Sequence, residues 1–256
     1  GNCPSGDASV TFGRENTASG DYSSVTGGWD SIASGDYSSI SGGQVNKASG
    51  QSSSVSGGIS NTASAFASSV SGGAGNLASG YYSSVSGGDV NEASGFSSSV
   101  SGGGKNRATG EEASILGGGK NSALGYQSAV SGGNLNRAVA KVSSVTAGQR
   151  NQAKGKGASV SGGKSNFANG ETSTISGGVG NRAENKFSSI SGGMKNEALG
   201  VSSSILGGKG NIVDKNYATA SRKGYKSKRQ SMFSVDENNS TLMAVINTTA
   251  ASGDSN

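Results

Sequence analysis

The chain has 256 residues, of which 46 are glycine and none is histidine; 31% are hydrophobic, 14% are charged, and the formal net charge is +5. So few large apolar side chains exclude an ordinary globular domain, and the lack of histidine removes the commonest general base and metal ligand. No apolar run of about twenty residues occurs, which excludes a membrane-spanning helix. We therefore expect neither enzymatic activity nor a cofactor.

Residues 1–7 are interpreted as an N-terminal leader or cap. They contain Cys3, the single cysteine of the chain. An odd cysteine indicates pairing with an upstream segment or another chain, or a free thiol. Cys3 is thus a possible disulfide position.

Residues 8–213 repeat every fifteen residues without a slip. Steps of that length from Val10 meet valine or isoleucine as far as Ile205. A column of asparagines starts at Asn16 and is interrupted only by Ser31, and an alanine column starts at Ala18. Such a fixed period is typical of a solenoid, in which each repeat buries its apolar face against its neighbours.

Strand alternation fits each repeat, whereas its glycines and serines disfavour a helix. In one unit we predict strands at about 98–102 and 105–110, with Val100, Gly102 and Ala108 among the residues that face inward. The predicted fold is an all-β parallel β-solenoid, or β-roll, with about fourteen turns, two short strands per turn and two parallel sheets.

The asparagine column predicts either a ladder of side-chain amide bonds from turn to turn or residues that favour turns. Its members include Asn46, Asn61, Asn76, Asn91, Asn106 and Asn121.

One outer face is predicted to carry small hydroxyl side chains on both sides of the valine column. Three interpretations remain open: a packing surface against identical chains, an ice-binding plane, or small residues kept for strand packing or sugar attachment. Leu116 and Leu206 interrupt the plane. The proposed self-association face includes Ser39, Ser41, Ser54, Ser56, Ser69, Ser71, Ser84, Ser86, Ser99 and Ser101.

Aromatic residues gather at two neighbouring positions of the unit, which predicts a stripe along one corner. The stripe either binds sugar rings or another protein, or shields a sheet margin. Its members are Tyr22, Tyr37, Phe66, Tyr81, Tyr82, Phe96 and Tyr126.

No pattern of catalytic or metal-binding residues is visible. The adjacent Glu111 and Glu112 would point apart on a strand, so they do not form an acid–base couple. Aspartate is too rare in the units for calcium-binding roll repeats. No metal site is expected.

The charge is uneven along the chain. Residues 1–100 carry two basic and seven acidic residues, whereas residues 101–213 carry thirteen and five. This polarity suits a head-to-tail filament, or it reflects drift of exposed positions. The basic residues are dispersed among acidic ones, which disfavours nucleic-acid binding.

Residues 214–256 are predicted to form a basic loop and a capping strand pair that closes the solenoid. Asn238, Asn239 and Asn247 lie in N-x-[ST] contexts and are possible N-glycosylation sites.

The segments 24–28 (SVTGG) and 114–118 (SILGG), each followed by x-x-[NS]-x-A-x-G, resemble the head repeats of YadA-like trimeric autotransporter adhesins. The resemblance covers about residues 8–213. It implies a left-handed β-roll that assembles as a trimer and acts in adhesion. The second apolar residue of the family unit is Gly27, Gly42 or Gly57 here, which predicts a thinner roll.

The sequence favours a non-enzymatic structural or adhesive rod, extracellular or at the cell surface, that self-associates as a trimer or filament through the Ser/Thr face. The alternative is a solenoid that recognises ice or glycan. Expected partners are copies of the chain itself, surface glycans, or a host or matrix protein, but not nucleic acid.

Overall fold

The computed structural model describes residues 1–220, which form a parallel β-solenoid with no helix in that range. Two 15-stranded sheets contain alternate strands of the chain, so that each coil contributes one strand to each sheet. Every strand pairs in parallel with the equivalent strand of a neighbouring coil, which confirms the predicted fold class. Within this range there is also no helix that could cross a membrane.

The strands contain two residues each. In chain order they are β1 (Cys3–Pro4), β2 (Val10–Thr11), β3 (Thr17–Ala18), β4 (Ser24–Val25), β5 (Ile32–Ala33), β6 (Ser39–Ile40), β7 (Lys47–Ala48), β8 (Ser54–Val55), β9 (Thr62–Ala63), β10 (Ser69–Val70), β11 (Leu77–Ala78), β12 (Ser84–Val85), β13 (Glu92–Ala93), β14 (Ser99–Val100), β15 (Arg107–Ala108), β16 (Ser114–Ile115), β17 (Ser122–Ala123), β18 (Ala129–Val130), β19 (Arg137–Ala138), β20 (Ser144–Val145), β21 (Gln152–Ala153), β22 (Ser159–Val160), β23 (Phe167–Ala168), β24 (Thr174–Ile175), β25 (Arg182–Ala183), β26 (Ser189–Ile190), β27 (Glu197–Ala198), β28 (Ser204–Ile205), β29 (Ile212–Val213) and β30 (Thr219–Ala220). Odd-numbered strands form sheet A and even-numbered strands form sheet B.

The interior is a stack of identical small residues. Val100 and Ala108 are buried in one coil, and the equivalent valine, isoleucine and alanine residues form one continuous core. Ser98 and Asn106 are buried beside them. The alternation of inward and outward residues along each strand was therefore predicted correctly around Val100 and Ala108.

The strands are shorter than predicted because left-handed residues bend the chain between them. In one coil Gly103, Lys105 and Glu112 have φ of 86°, 57° and 55°. Gly102 does not face the interior as predicted: it is half-buried, and a Cβ built on it meets no atom within 4 Å. The chain has already begun to turn there. Between the two strands, Gly104 adds a third contact, an isolated bridge to the coil on either side.

The backbone bonds of a coil run in both directions along the rod. The strand N–H of Ser99 donates to the carbonyl oxygen of Ala113 in the following coil (2.9 Å). The left-handed residues Lys105 and Glu112 instead donate to the preceding coil, at 2.8 and 2.7 Å. Each coil is therefore bound to both neighbours at its strands and at its corners.

The first coil departs from the predicted register, because the spacing between Thr11 and Gly13 is one residue shorter than in later coils. Val10 pairs with Ser24 and Thr11 with Val25. Val10 is 43% exposed and does not belong to the buried column. The prediction of a repeat without slips is wrong at this point, since Thr11 has the place in the first coil that Val25 has in the second.

The stacked coils extend beyond the predicted limits of 8–213. β1 begins at Cys3 and pairs with β3, and β30 ends at Ala220 after pairing with β28. Residues 1–7 and 214–220 therefore contribute strands to the solenoid. The remaining part of the predicted basic loop and strand pair, with Asn238, Asn239 and Asn247, lies outside the described residues.

Candidate functional surfaces

The asparagine column links adjacent coils through the backbone. The side-chain oxygen of Asn46 accepts a bond from the backbone N–H of Asn61 (3.0 Å). Its Nδ2 donates to the carbonyl oxygens of Gly42 (2.9 Å) and Gly58 (3.0 Å). The same pattern recurs at Asn61, Asn76, Asn91, Asn106 and Asn121. The predicted ladder exists, but its bonds run from amide to backbone and not from amide to amide.

These bonds give the asparagines a structural role. Each buried amide has partners for its oxygen and for both of its N–H groups, so none is left to bind a ligand. Ser31 interrupts the pattern: its hydroxyl still accepts from the N–H of Asn46 (3.2 Å) and donates weakly to Trp29 (3.3 Å). The hydroxyl of Ser31 can donate only one hydrogen bond, whereas the amide of an asparagine donates two.

The predicted self-association face is the outer face of sheet B. On either side of the buried Val100, Ser99 is half-buried and Ser101 is exposed, and the same holds for the equivalent pairs from Ser39 to Ser86. Four large apolar side chains lie on this face: Val10 and Phe12 in the first coil (43% and 60% exposed), Leu116 (62%) and Leu206 (58%). From the second coil onward the face is thus a long strip of small side chains with two large apolar interruptions. We call it the Ser/Thr face.

The aromatic corner forms two clusters and not one continuous stripe. Tyr22 and Tyr37 stack with ring centroids 5.1 Å apart and planes at 4°. In the second cluster Tyr82 contacts Phe66 and Phe96 edge to face, at 5.5 and 5.6 Å. Tyr81 stacks on Phe66 at 6.3 Å. Gln51 and Ser52 occupy the coil between the clusters.

Further along the corner the aromatic rings are covered by lysines. Lys141 lies over the ring of Tyr126, with its Nζ 4.8 Å from the ring centroid. Lys186 lies over Phe187 at 5.0 Å and forms an ion pair with Glu171 at 3.2 Å. Within residues 1–220, the two N-terminal clusters and the single ring of Tyr217 (79% exposed) have no cation above them.

Among the ionisable groups of residues 1–220, two have clearly shifted pKa values. The indole of Trp29 donates to Glu15 at 2.7 Å and Arg14 contacts the same carboxylate, so the pKa of Glu15 is lowered. The hydrogen bond to Glu184 (2.6 Å) raises the pKa of Arg182. Both effects stabilise exposed ion pairs and neither marks a catalytic acid or base.

Other predicted positions are separated along the rod. Cys3 is an exposed free thiol in β1. Glu111 and Glu112 are both exposed, and Glu112 accepts a bond from Gln127 (2.7 Å). Within residues 1–220 no three His, Cys, Asp or Glu side chains lie together where they could hold a metal ion.

The basic residues were predicted to be dispersed among acidic ones, and this prediction missed their placement. The described structure brings nine of them to one edge of the rod. The signal was present in the sequence, because these residues occupy only three positions of the fifteen-residue unit.

No protein-family model matches the sequence, and no curated protein is found to match it.

Proposed function

We propose that this protein is a non-enzymatic structural or adhesive rod, extracellular or at the cell surface, that self-associates through the Ser/Thr face. The observation that carries the proposal is the contrast between the outer faces of the two sheets. Sheet B presents small side chains in nearly every coil. At the equivalent position, sheet A presents residues as different as Lys47, Leu77 and Phe167.

A surface in contact with water has no need of uniformly small residues. Packing between rods does need small residues in most coils, because bulky side chains repeated along the strip would hold the two backbones apart. Ser41, Ser56, Ser71, Ser86 and Ser101 all meet this requirement and are exposed in the single chain. Such a strip suits close packing with a copy of itself.

The exposed leucines also support association. Leu116 and Leu206 lie in the same column as these serines and leave most of their surface in water. Covering them would bury apolar area at about 25 cal/mol per Å². The resemblance to trimeric adhesin head repeats suits the same arrangement, with three rods around one axis as its simplest form.

Charge introduced into the face tests the proposal. We expect the double variant Ser86→Lys and Ser101→Lys to lower the mass of the assembly, measured by sedimentation, towards that of a single chain. The matched control is Ser34→Lys with Ser64→Lys, which adds the same two charges to exposed serines beside the strands of sheet A. A single-chain mass for the unmodified protein, or equal masses for both variants, would contradict the proposal.

Glycan binding at the aromatic corner is the second candidate function. Tyr22, Tyr37, Tyr81 and Tyr82 are each more than half exposed, and aromatic rings in that state can pack against sugar rings. Tyr81→Ala with Tyr82→Ala should then weaken glycan binding and leave the assembly mass unchanged. Unchanged affinity for every neutral glycan tested would remove this candidate.

A further inference from the structure

One edge of the rod carries a continuous row of cations over eight consecutive coils. Three positions of the unit form this edge: the bridge residue between the strands, the left-handed residue after it, and the first residue of the sheet A strand. In one coil these are Gly104, Lys105 and Arg107. We call the row the cation band. Its members are Lys105, Arg107, Lys120, Arg137, Arg150, Lys164, Arg182, Lys195 and Lys209.

The cation band accounts for the positive charge of this half of the rod. Its three positions hold nine cations and one carboxylate, Glu197. The remainder of residues 101–213 holds four cations and four carboxylates, so its net charge is zero. At the same three positions, residues 14–92 hold two cations and four carboxylates. The excess charge is therefore confined to one edge of one half.

The charges of the band are available to a ligand. All nine residues are exposed. Arg107 is paired with Glu92 at 3.0 Å and Arg182 with Glu184 at 2.6 Å, while the other seven cations form no ion pair with any residue of the described solenoid. Seven like charges kept unpaired along one edge repel each other, so an anionic partner would relieve that repulsion.

The backbone makes the band straight and rigid. The bridge residues pair coil by coil from Gly104 to Lys209 with the same fifteen-residue register. At about 4.8 Å per coil, eight coils span about 34 Å, with at least one cation at every level. Since the strands are fixed by the ladder, a ligand would order only the ends of the side chains.

We propose that the cation band binds a linear acidic polysaccharide, whose carboxylate or sulfate groups follow an extended chain. Such a polymer can lie along a straight row of cations for its whole length. The phosphates of duplex nucleic acid wind away from a straight line, and Phe167 is the single aromatic side chain at the band positions for base stacking on a single strand. The band uses none of the residues of the Ser/Thr face, so the inference does not depend on self-association.

The test compares two variants that remove the same number of charges. The band variant is Lys105→Gln, Lys120→Gln, Arg150→Gln and Lys195→Gln. The control variant is Lys141→Gln, Lys154→Gln, Lys156→Gln and Lys186→Gln, from the same half of the rod but outside the band. The probes are a heparin oligosaccharide long enough to span the band, neutral dextran and blunt duplex DNA, each titrated against the full chain at several salt concentrations.

We expect heparin to bind and dextran not to bind. The band variant should raise the Kd for heparin by about tenfold or more and flatten its salt dependence, whereas the control variant should change it by less than about twofold. A version with Lys105→Arg, Lys120→Arg and Lys195→Arg should keep the affinity, which separates loss of charge from damage to the fold.

Three results would overturn the inference. Equal losses in the two variants would show general charge attraction, and unchanged affinity in the band variant would place the site elsewhere on the chain. Tighter binding of duplex DNA that depends on the band would assign it to nucleic acid. Because heparin binding is measured separately from assembly mass, failure here leaves the proposed self-association intact.

Discussion

The repeat places glycine at two corners of the coil, and the two corners differ in how strictly they keep it. The corner between sheet B and the bridge residue keeps its second glycine in every coil from Gly13 to Gly208. We call it the strict corner. At the aromatic corner the glycine is replaced in four coils. The replacements are Ala65, Ala140, Asn185 and Lys215.

The two corners differ in whether the backbone can rearrange to accommodate a Cβ atom. A Cβ on Gly103 would overlap the carbonyl oxygen of Gly118 and crowd Nδ2 of Asn106, at a φ of +86° that L residues rarely adopt. At the aromatic corner a Cβ would also overlap the next coil, but the backbone has another arrangement. Gly80 donates its N–H both to the next coil and to Ser83 Oγ, whereas the N–H of Ala65 makes no backbone bond to the next coil and keeps only the bond to Ser68 Oγ (3.1 Å). Strict repetition therefore marks positions where no rearrangement is possible.

The largest effect is expected at the strict corner. Gly103→Ala should lower the free energy of unfolding by more than about 3 kcal/mol, because it combines overlap with a strained φ. Gly102→Ala is the matched control: its Cβ would enter open space, and Ala147 already occupies the equivalent position. Denaturant unfolding of both variants measures the difference, and similar losses would refute the explanation.

A smaller loss is expected at the aromatic corner. Gly95→Ala introduces the residue that Ala65 and Ala140 already place there, and Ser98 can supply the hydroxyl that Ser68 supplies to Ala65. We expect a loss of about 1–2 kcal/mol. Ser98→Ala should lower the free energy of unfolding more in the Gly95→Ala background than in the unmodified protein. Gly95→Ala as damaging as Gly103→Ala would show that the two corners are equally rigid.

The strict corner can also be strengthened. Ser31→Asn should restore the asparagine to the one coil of the column that lacks it. The new amide should donate the two bonds that Asn46 donates, here to the carbonyl oxygens of Gly27 and Gly43. Each bond contributes about 0.5–1.5 kcal/mol, so we expect a gain of about 1–2 kcal/mol in thermal or denaturant unfolding. Ser34→Asn, on an exposed serine of the same coil, should give no gain. Loss of stability in Ser31→Asn would show that the local backbone has adapted to serine.

The smallest effect concerns the pH response of Trp29, the only tryptophan of the chain. Its bond to Glu15 lowers the pKa of that carboxyl below the ordinary 4.5, so the bond is present at neutral pH and is lost as the pH falls through the lowered value. Tryptophan emission should therefore change with a midpoint below 4.5. Glu15→Gln should abolish the transition; a midpoint above the ordinary value would contradict the assigned geometry.

Period and alternation were sufficient to predict the stacked coils. Val100, Ala108 and Asn106 are buried as predicted, because a fifteen-residue step and a two-residue step leave few alternatives. The offset at Val10 was hidden, since an apolar residue stands fifteen positions before Val25 even though Thr11 takes its place. A periodic count cannot detect a deletion that falls beside a compatible residue.

Strand length was not predictable because ordinary residues adopt left-handed conformations. Val90 and Val142 have φ of 53° and 57°, although β-branched residues disfavour this region. Their N–H groups bond to the preceding coil at 2.8 Å, which compensates for the strain. The cation band was missed for a different reason. Lys164, Lys105 and Arg107 belong to three neighbouring columns of the unit, and no single column is basic throughout, so the row appears only when the three columns are taken together.

The most direct test of the proposed rod is a density map of its assembly. We predict that neighbouring chains meet at the Ser/Thr face, with Leu116 and Leu206 covered and the cation band exposed along the outside. A map in which the Ser/Thr face lies in solvent, while the chains meet elsewhere or not at all, would contradict the account.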